Sequence, residues 1–329
     1  MSIQRGVLVS VVCCLGLLAL AGCPPQPPGG GRGGGGGGGI NPGACGTIDT
    51  NPVGRKLHAF LVASAELDRA SIELEGTVHR ACGKMATILG IPATGDTKDL
   101  CNRTAIALRD NLQVSVKTES RLVTRTVPPV CTTDISFTAG IVAQCEARAS
   151  ADIDVRCSGR CSGTCNGTCS GTMTGGQCDG TCQGRCSGSC NGYADVQASA
   201  ECKASAEIRA NLKTTCTEPK VEVVRENVTV VDATKFDKAI QAINEGLPTL
   251  MVATAKLELA GKALVNWVAT GASLLRSSGE LIAELGEKGV CVGGQLAAVV
   301  AASANIQARF SVSIEVSAEV SASAGASGR

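Results

Sequence analysis

The chain has 329 residues, of which 44% are hydrophobic but only 2% aromatic, with 41 Gly and 19 Cys, and its 30 Lys and Arg nearly cancel its 29 Asp and Glu. That balance excludes a protein drawn by bulk charge to nucleic acid or to an anionic membrane. Few aromatics and abundant Ala, Ser and Gly exclude a bulky core and favour thin layers that approach one another closely.

The first stretch, MSIQRGVLVSVVCCLGLLALAGC, has one cation at Arg5, an apolar run to Leu20 and then small residues. This is the layout of a secretory signal peptide over residues 1–22, and Cys13 and Cys14 leave with it. The end of the run, Leu20-Ala21-Gly22-Cys23, closely resembles the lipobox of bacterial lipoproteins. The resemblance covers this segment alone. It implies cleavage before Cys23 and a covalent lipid on the Cys23 thiol, which anchors the chain to a membrane. Many lipoproteins of the inner membrane carry Asp after the lipidated Cys; Pro24 here implies the outer membrane. Residues 23–48 are then the lipidated Cys and a Pro/Gly-rich disordered tether with a reach of roughly 25 Å.

Residues 49–130 read as a helical segment and a first base strand. Asn51 before Pro52 is an N-cap followed by Pro at the first helical position. Phe60, Leu67, Leu74, Val78, Ala81, Met85 and Ile88 recur at helical spacing until Gly90-Ile91-Pro92. A shorter helix follows from Asp96 to about Asn111. LQVSVKTESRLVTRTVPP then reads as a strand.

Residues 131–216 carry the strongest signal. Cys recurs every fourth residue from Cys157 to Cys169 and again from Cys178 to Cys190. Folding the chain back at TMTGGQ sets Cys169 against Cys178, Cys165 against Cys182, Cys161 against Cys186 and Cys157 against Cys190, and each pair of residue numbers totals 347. The same total sets Cys145 against Cys202 and Cys131 against Cys216, so six pairs share one register. Directly opposed Cα atoms in an antiparallel ladder lie about 4.5 to 5.5 Å apart, within disulfide range, whereas residues four apart on one strand are about 13 Å apart. The apolar residues alternate in phase with the cysteines, through Ile135, Phe137, Ile141, Ile153 and Val155 on one arm and Val196, Ile208 and Leu212 on the other. The expectation is a long β-hairpin whose Cys-x-Gly-x tip, residues 157–190, projects as a disulfide-stapled rod of roughly 40 Å. Export to an oxidising compartment favours disulfides. Of the four cysteines left, Cys82 and Cys101 flank an interhelix segment and pair with each other, leaving Cys45 for Cys291, with the two other connectivities open.

Residues 217–329 read as a base strand, long helices and a C-terminal strand. EPKVEVVRENVTVVD continues the register, with Val123 opposite Val224, Arg125 opposite Glu222 and Pro128 opposite Pro219. Leu250, Leu257, Leu264, Trp267, Leu274, Leu281 and Leu285 mark a long helix of about 55 Å. Ile306, Ala308, Phe310, Val312, Ile314, Val316, Ala318 and Val320 alternate with polar residues as a strand of about 60 Å, expected to join the base as a third strand. The fold class is therefore α+β, with long amphipathic helices packed on a few-stranded antiparallel sheet and the hairpin projecting from it.

No catalytic constellation emerges, and the expectation is a non-enzyme. His58 and His79 lie far apart on one helix, and the Gly-rich run lacks the Lys-Ser/Thr signature of a phosphate loop. Asp152, Asp154 and Asp195 fall together at the root of the tip and are candidate ligands for a cation such as calcium; no other metal or cofactor is expected. The first functional reading is a rigid structural or adhesion lipoprotein whose tip meets a protein or a surface polymer. The alternatives are a thiol or metal buffer of the metallothionein kind and a pore-forming, membrane-inserting hairpin. Exposed strand edges leave room for homo-oligomers.

Overall fold

The computed structural model describes residues 39–115, 121–226 and 229–324. The signal peptide, Cys23 and most of the tether lie outside the described residues. The end of the expected tether is docked: Asn41 N–H donates to Gln295 Oε1 at 2.8 Å, Ile48 is buried, and Cys45 is bonded to Cys291.

Helix α1 (Pro52–Leu89) starts where Asn51 Oδ1 accepts the Gly54 N–H at 2.6 Å, and it stops at Gly90 in the left-handed region, φ 78°. Gly pays the smallest steric penalty there. Helix α2 (Thr97–Ser115) folds back on α1 and is tied to it by Cys82–Cys101. Strand β1 (Arg121–Val127) and the short β2 (Cys131–Asp134) follow.

The chain then departs from the hairpin reading. Residues 135–146 form helix α3 (Ile135–Glu146), because the Asp134 carboxylate accepts the N–H groups of Ser136 and Phe137 and so caps a helix. A 3-10 turn (Ser150–Asp152) leads into β3 (Val155–Cys157), β4 (Arg160–Cys161), β5 (Thr164–Cys169), β6 (Thr172–Thr174), β7 (Gln177–Asp179), β8 (Cys182–Ser187), β9 (Ser189–Asn191) and β10 (Ala194–Val196). The returning arm is helical as well: α4 (Ala200–Leu212) is rich in Ala, Glu, Lys and Arg, all strong helix formers. Short β11 (Thr215–Cys216) precedes β12 (Lys220–Glu226), which pairs with β1 in the expected register, Val123 with Val224 and Arg125 with Glu222.

Helix α5 (Ala233–Arg276) runs through Pro248 for 44 residues, and α6 (Ser278–Leu285) and α7 (Glu287–Ala324) complete the chain. The expected C-terminal strand is thus helical. Its buried residues, Ile306, Phe310, Ser313, Val316 and Val320, recur at three and four rather than two. Among the described residues the ribbon of β1 and β12 gains no third strand; instead Thr124 Oγ1 donates to the carbonyl of Ala324 in α7.

The fold is α+β. Helices α1, α2, α4, α5 and α7 pack into a bundle, with one core layer around Met85, Leu108, Phe236 and Val316 and a second around Phe60, Leu257, Trp267 and Phe310. Each fully buried side chain of this size contributes about 1.5 to 3 kcal/mol of hydrophobic free energy. In the second layer Trp267 Nε1–H donates to Ser64 Oγ at 2.7 Å, which satisfies the one polar group that the indole brings into the core. The third cluster holds the cysteines of the tip against Ile135 and Val142 of α3.

Candidate interaction site

Among the described residues eight disulfides join Cys157 to Cys190, Cys161 to Cys186, Cys165 to Cys182, Cys169 to Cys178, Cys145 to Cys202, Cys131 to Cys216, Cys82 to Cys101 and Cys45 to Cys291. The backbone around the first four is arranged differently from a flat ladder. Cys165 stands opposite Cys186 in the strand pairing, where residue numbers total 351, yet its sulfur bonds Cys182. The first arm also pairs on its other edge: Thr164 meets Ser187 on one side and Gln177 on the other, and Arg156 meets Asp195 and Arg185. Each segment of one arm is thus laid between two successive segments of the other.

The result is a coil of the two arms wound about each other. Arg156 and Thr164 belong to the six-stranded sheet β10-β3-β8-β5-β7-β6, while Arg160 between them belongs to the four-stranded sheet β11-β2-β9-β4. Strands run across the coil axis instead of along it, so six strands at about 4.8 Å spacing span roughly 24 Å, shorter than the rod of the flat reading. The sulfurs lie inside: Cys161, Cys165, Cys178, Cys182, Cys186 and Cys190 are 0 to 3% exposed. They replace an aliphatic core in a segment too small to build one.

The glycines of the Cys-x-Gly-x period let the arms cross. A β-carbon on Gly163 would lie 1.5 Å from the Ser187 carbonyl oxygen, and Gly188 across from it holds φ 126°. Only Gly fits either position. Outside, the coil is polar. Arg160 pairs with Asp179 at 3.2 Å, and Arg185 donates to the carbonyls of Ala151 and Ile153, fastening the coil to the turn below α3.

At its root the coil meets the bundle through a buried polar cluster. Glu207 of α4 is fully buried; its Oε2 accepts from Asn266 Nδ2 of α5 at 2.8 Å, and its Oε1 lies 3.7 Å from Lys203 Nζ. Lys203 also holds Asp195 of β10 at 2.6 Å. The Tyr193 hydroxyl is buried against Glu207 without a hydrogen bond of acceptable geometry. Burial pushes the Glu207 carboxyl above its ordinary pKa, against the pull of Asn266 and Lys203. Burial would lower the Lys203 ammonium, but Asp195 and Glu207 outweigh it and hold it above its usual value. Burial, reinforced by Glu207, raises the Tyr193 phenol.

The three aspartates expected to gather as a cation site do not. Asp195 is taken by Lys203, and Asp154 by Arg156 at 3.7 Å. Asp195 stands opposite Arg156 rather than Asp152, because the strand register differs from the disulfide register by four. Among the described residues no group of three or more His, Cys, Asp or Glu could hold a metal ion. His79 stays within α1, with Nδ1 3.5 Å from Thr97 Oγ1. A shallow groove of about 300 Å³ runs beside the root between Pro129, Asn191, Glu258 and Lys262. Glu207, Asn266 and Tyr193 escaped the sequence reading because a strand at 194–212 places Glu207 on the solvated face; the Ala-rich helix propensity of that segment was the signal for it.

The chain is thus an α+β protein in which a helical bundle carries a disulfide-filled coil. No protein-family model, curated protein or solved structure matches it.

Proposed function

We propose that this is a non-enzymatic lipoprotein of the bacterial outer membrane, anchored by a lipid on Cys23, in which the bundle is the base and the coil is the interacting element. The observation that carries the reading is the coil itself. It has a covalently fixed interior, no ionisable group inside it, and a polar outer surface of Thr, Ser, Asn and Gln held on a rigid backbone. Such preorganisation lowers the entropic cost of binding a partner, a protein or a surface polymer. The many buried disulfides support an oxidising compartment, consistent with export. The polar cluster around Glu207 fits a structural role, since it joins coil to bundle.

Mass spectrometry of the chain isolated from a bacterial envelope tests this reading. The expected spectrum shows a diacylglycerol-modified Cys23 at the N-terminus and no free thiol among the coil cysteines. Reduced coil cysteines carrying metal would overturn it in favour of a metal or thiol buffer. Leakage of liposomes exposed to the protein would instead favour membrane insertion.

A further inference from the structure

The coil ends at β6, the last strand of the six-stranded sheet, whose outer edge meets no strand among the described residues. Met173 at its centre stands opposite Cys178 on β7. Directly opposed residues of an antiparallel pair share one face, so Met173 lies on the sulfur side of the sheet, beside the outermost disulfide Cys169–Cys178. It is 47% exposed, whereas Cys178 next to it is 3% exposed. A stacked array needs both ends covered. The inner end of this one lies against α3, while the outer end presents a thioether to solvent.

Three features of that end identify what covers it. Residues 170–178 carry no charge and no Pro, two of the devices by which natural edge strands are guarded against pairing, so β6 is guarded only by its three-residue length. The segment Gly171-Thr172-Met173-Thr174-Gly175 reads the same in both directions. Antiparallel pairing of β6 with a second copy about Met173 sets Met173 against the partner's Met173, as any two-fold pairing does, and the symmetric sequence then places Thr172 against the partner's Thr174, a like-for-like Thr pair on each side. The same pairing continues the sulfur layer across the junction at the ordinary strand spacing, thioether on thioether between two terminal disulfides.

We propose that the tip of the coil is closed by a second copy of the chain, β6 pairing with β6 about Met173 to give a tip-to-tip, two-fold dimer. The inference deepens the reading of the coil as the interacting element and rests on it for its setting. A three-residue edge buries far less than the roughly 1,000 Å² of a stable interface, so association is weak in solution and gains from chains concentrated on a surface.

Sedimentation of the full chain in mild detergent over a concentration series tests the dimer, with non-reducing disulfide mapping of every variant as the folding control. The wild type is expected to dimerise with rising concentration. Met173→Lys and Met173→Glu each place like charges across the two-fold axis and are expected to weaken dimerisation about tenfold or more. An equimolar mixture of the two sets Lys against Glu and is expected to recover it. A chain that stays monomeric throughout, a dimer unmoved by either substitution, or a mixture no tighter than its components would overturn the pairing. None of these results bears on the lipid and thiol content of the mass spectrum, so the two readings fail separately.

Discussion

Gly163 and Gly188 meet where the two arms of the coil cross, with the Gly188 Cα 3.1 Å from the place a β-carbon on Gly163 would occupy. The neighbouring Ser187 carbonyl is closer still, and backbone cannot move aside as a flexible side chain can. Gly163→Ala is therefore expected to destabilise the coil by about 3 kcal/mol or more and to scramble its disulfides. Gly140→Ala, in α3 with nothing within 4 Å of the added carbon, is expected to stabilise the chain by about 0.5 to 1 kcal/mol through helix propensity alone. Thermal unfolding and non-reducing peptide maps of the two variants check the contrast.

The disulfides differ in what they restrain. Cys45–Cys291 spans 246 residues, whereas Cys165–Cys182 spans 17 and is flanked by two bonds that already hold its arms. In the loop-entropy account, replacing Cys45 and Cys291 by Ala costs about 5 kcal/mol, and replacing Cys165 and Cys182 costs about 2 to 3. Denaturant unfolding of the two double variants checks the order. Equal losses would place the stabilisation in packing rather than in chain entropy.

Glu207 gives the fold a pH dependence whose sign follows from burial. Its folded pKa is raised, so the folded state binds its proton more tightly than the unfolded chain does. That contribution favours the fold below the ordinary carboxyl pKa of 4.5 and is lost as pH rises through the folded value. Glu207→Gln keeps an oxygen for Asn266 and removes the charge. It is expected to be more stable than wild type at neutral pH, with the difference shrinking as the pH falls through the raised folded value and levelling off below 4.5. Stability curves of both proteins against pH check it; a Glu207→Gln chain less stable at neutral pH would show that the contact with Lys203 outweighs burial.

The cysteine pairing was legible in the sequence because a mirror register survives a change of secondary structure. Cys145 and Cys202 total the same residue number as Cys131 and Cys216, yet the first pair joins two helices and the second two strands. Two antiparallel elements of equal rise conserve that total whichever element they are. For the same reason the register could not tell strand from helix. The alternation at 306–320 misled because Ala308 and Ala318 are exposed in α7: small residues tolerate either side, so a period of two overlay the true stripe of Ile306, Phe310, Ser313, Val316 and Val320. Asp134 and the Ala-rich run at 200–212 held the helical signal. In the tip, the regular glycines Gly159, Gly163, Gly167 and Gly171 each mark a place where the other arm's backbone crosses, which spacing alone does not reveal.

Trp267 provides the test of whether the bundle folds as one unit with its coil. It is the one Trp of the chain, fully buried among Phe60, Leu257 and Phe310, and its N–H has Ser64 Oγ as partner. Ser64→Ala strands that donor in an apolar layer and is expected to cost about 1 to 3 kcal/mol, while Trp267→Ala opens a cavity and is expected to cost about 3 to 5. Indole fluorescence reports the bundle directly, and the disulfide map reports the coil. Because Glu207 and Asn266 tie α4 and α5 to the root of the coil close to this layer, the Ser64→Ala chain is expected to lose indole burial and protection of the coil disulfides from reductant at one denaturant midpoint. Two separate midpoints would mean that the sulfur-filled coil holds its structure after the bundle has opened.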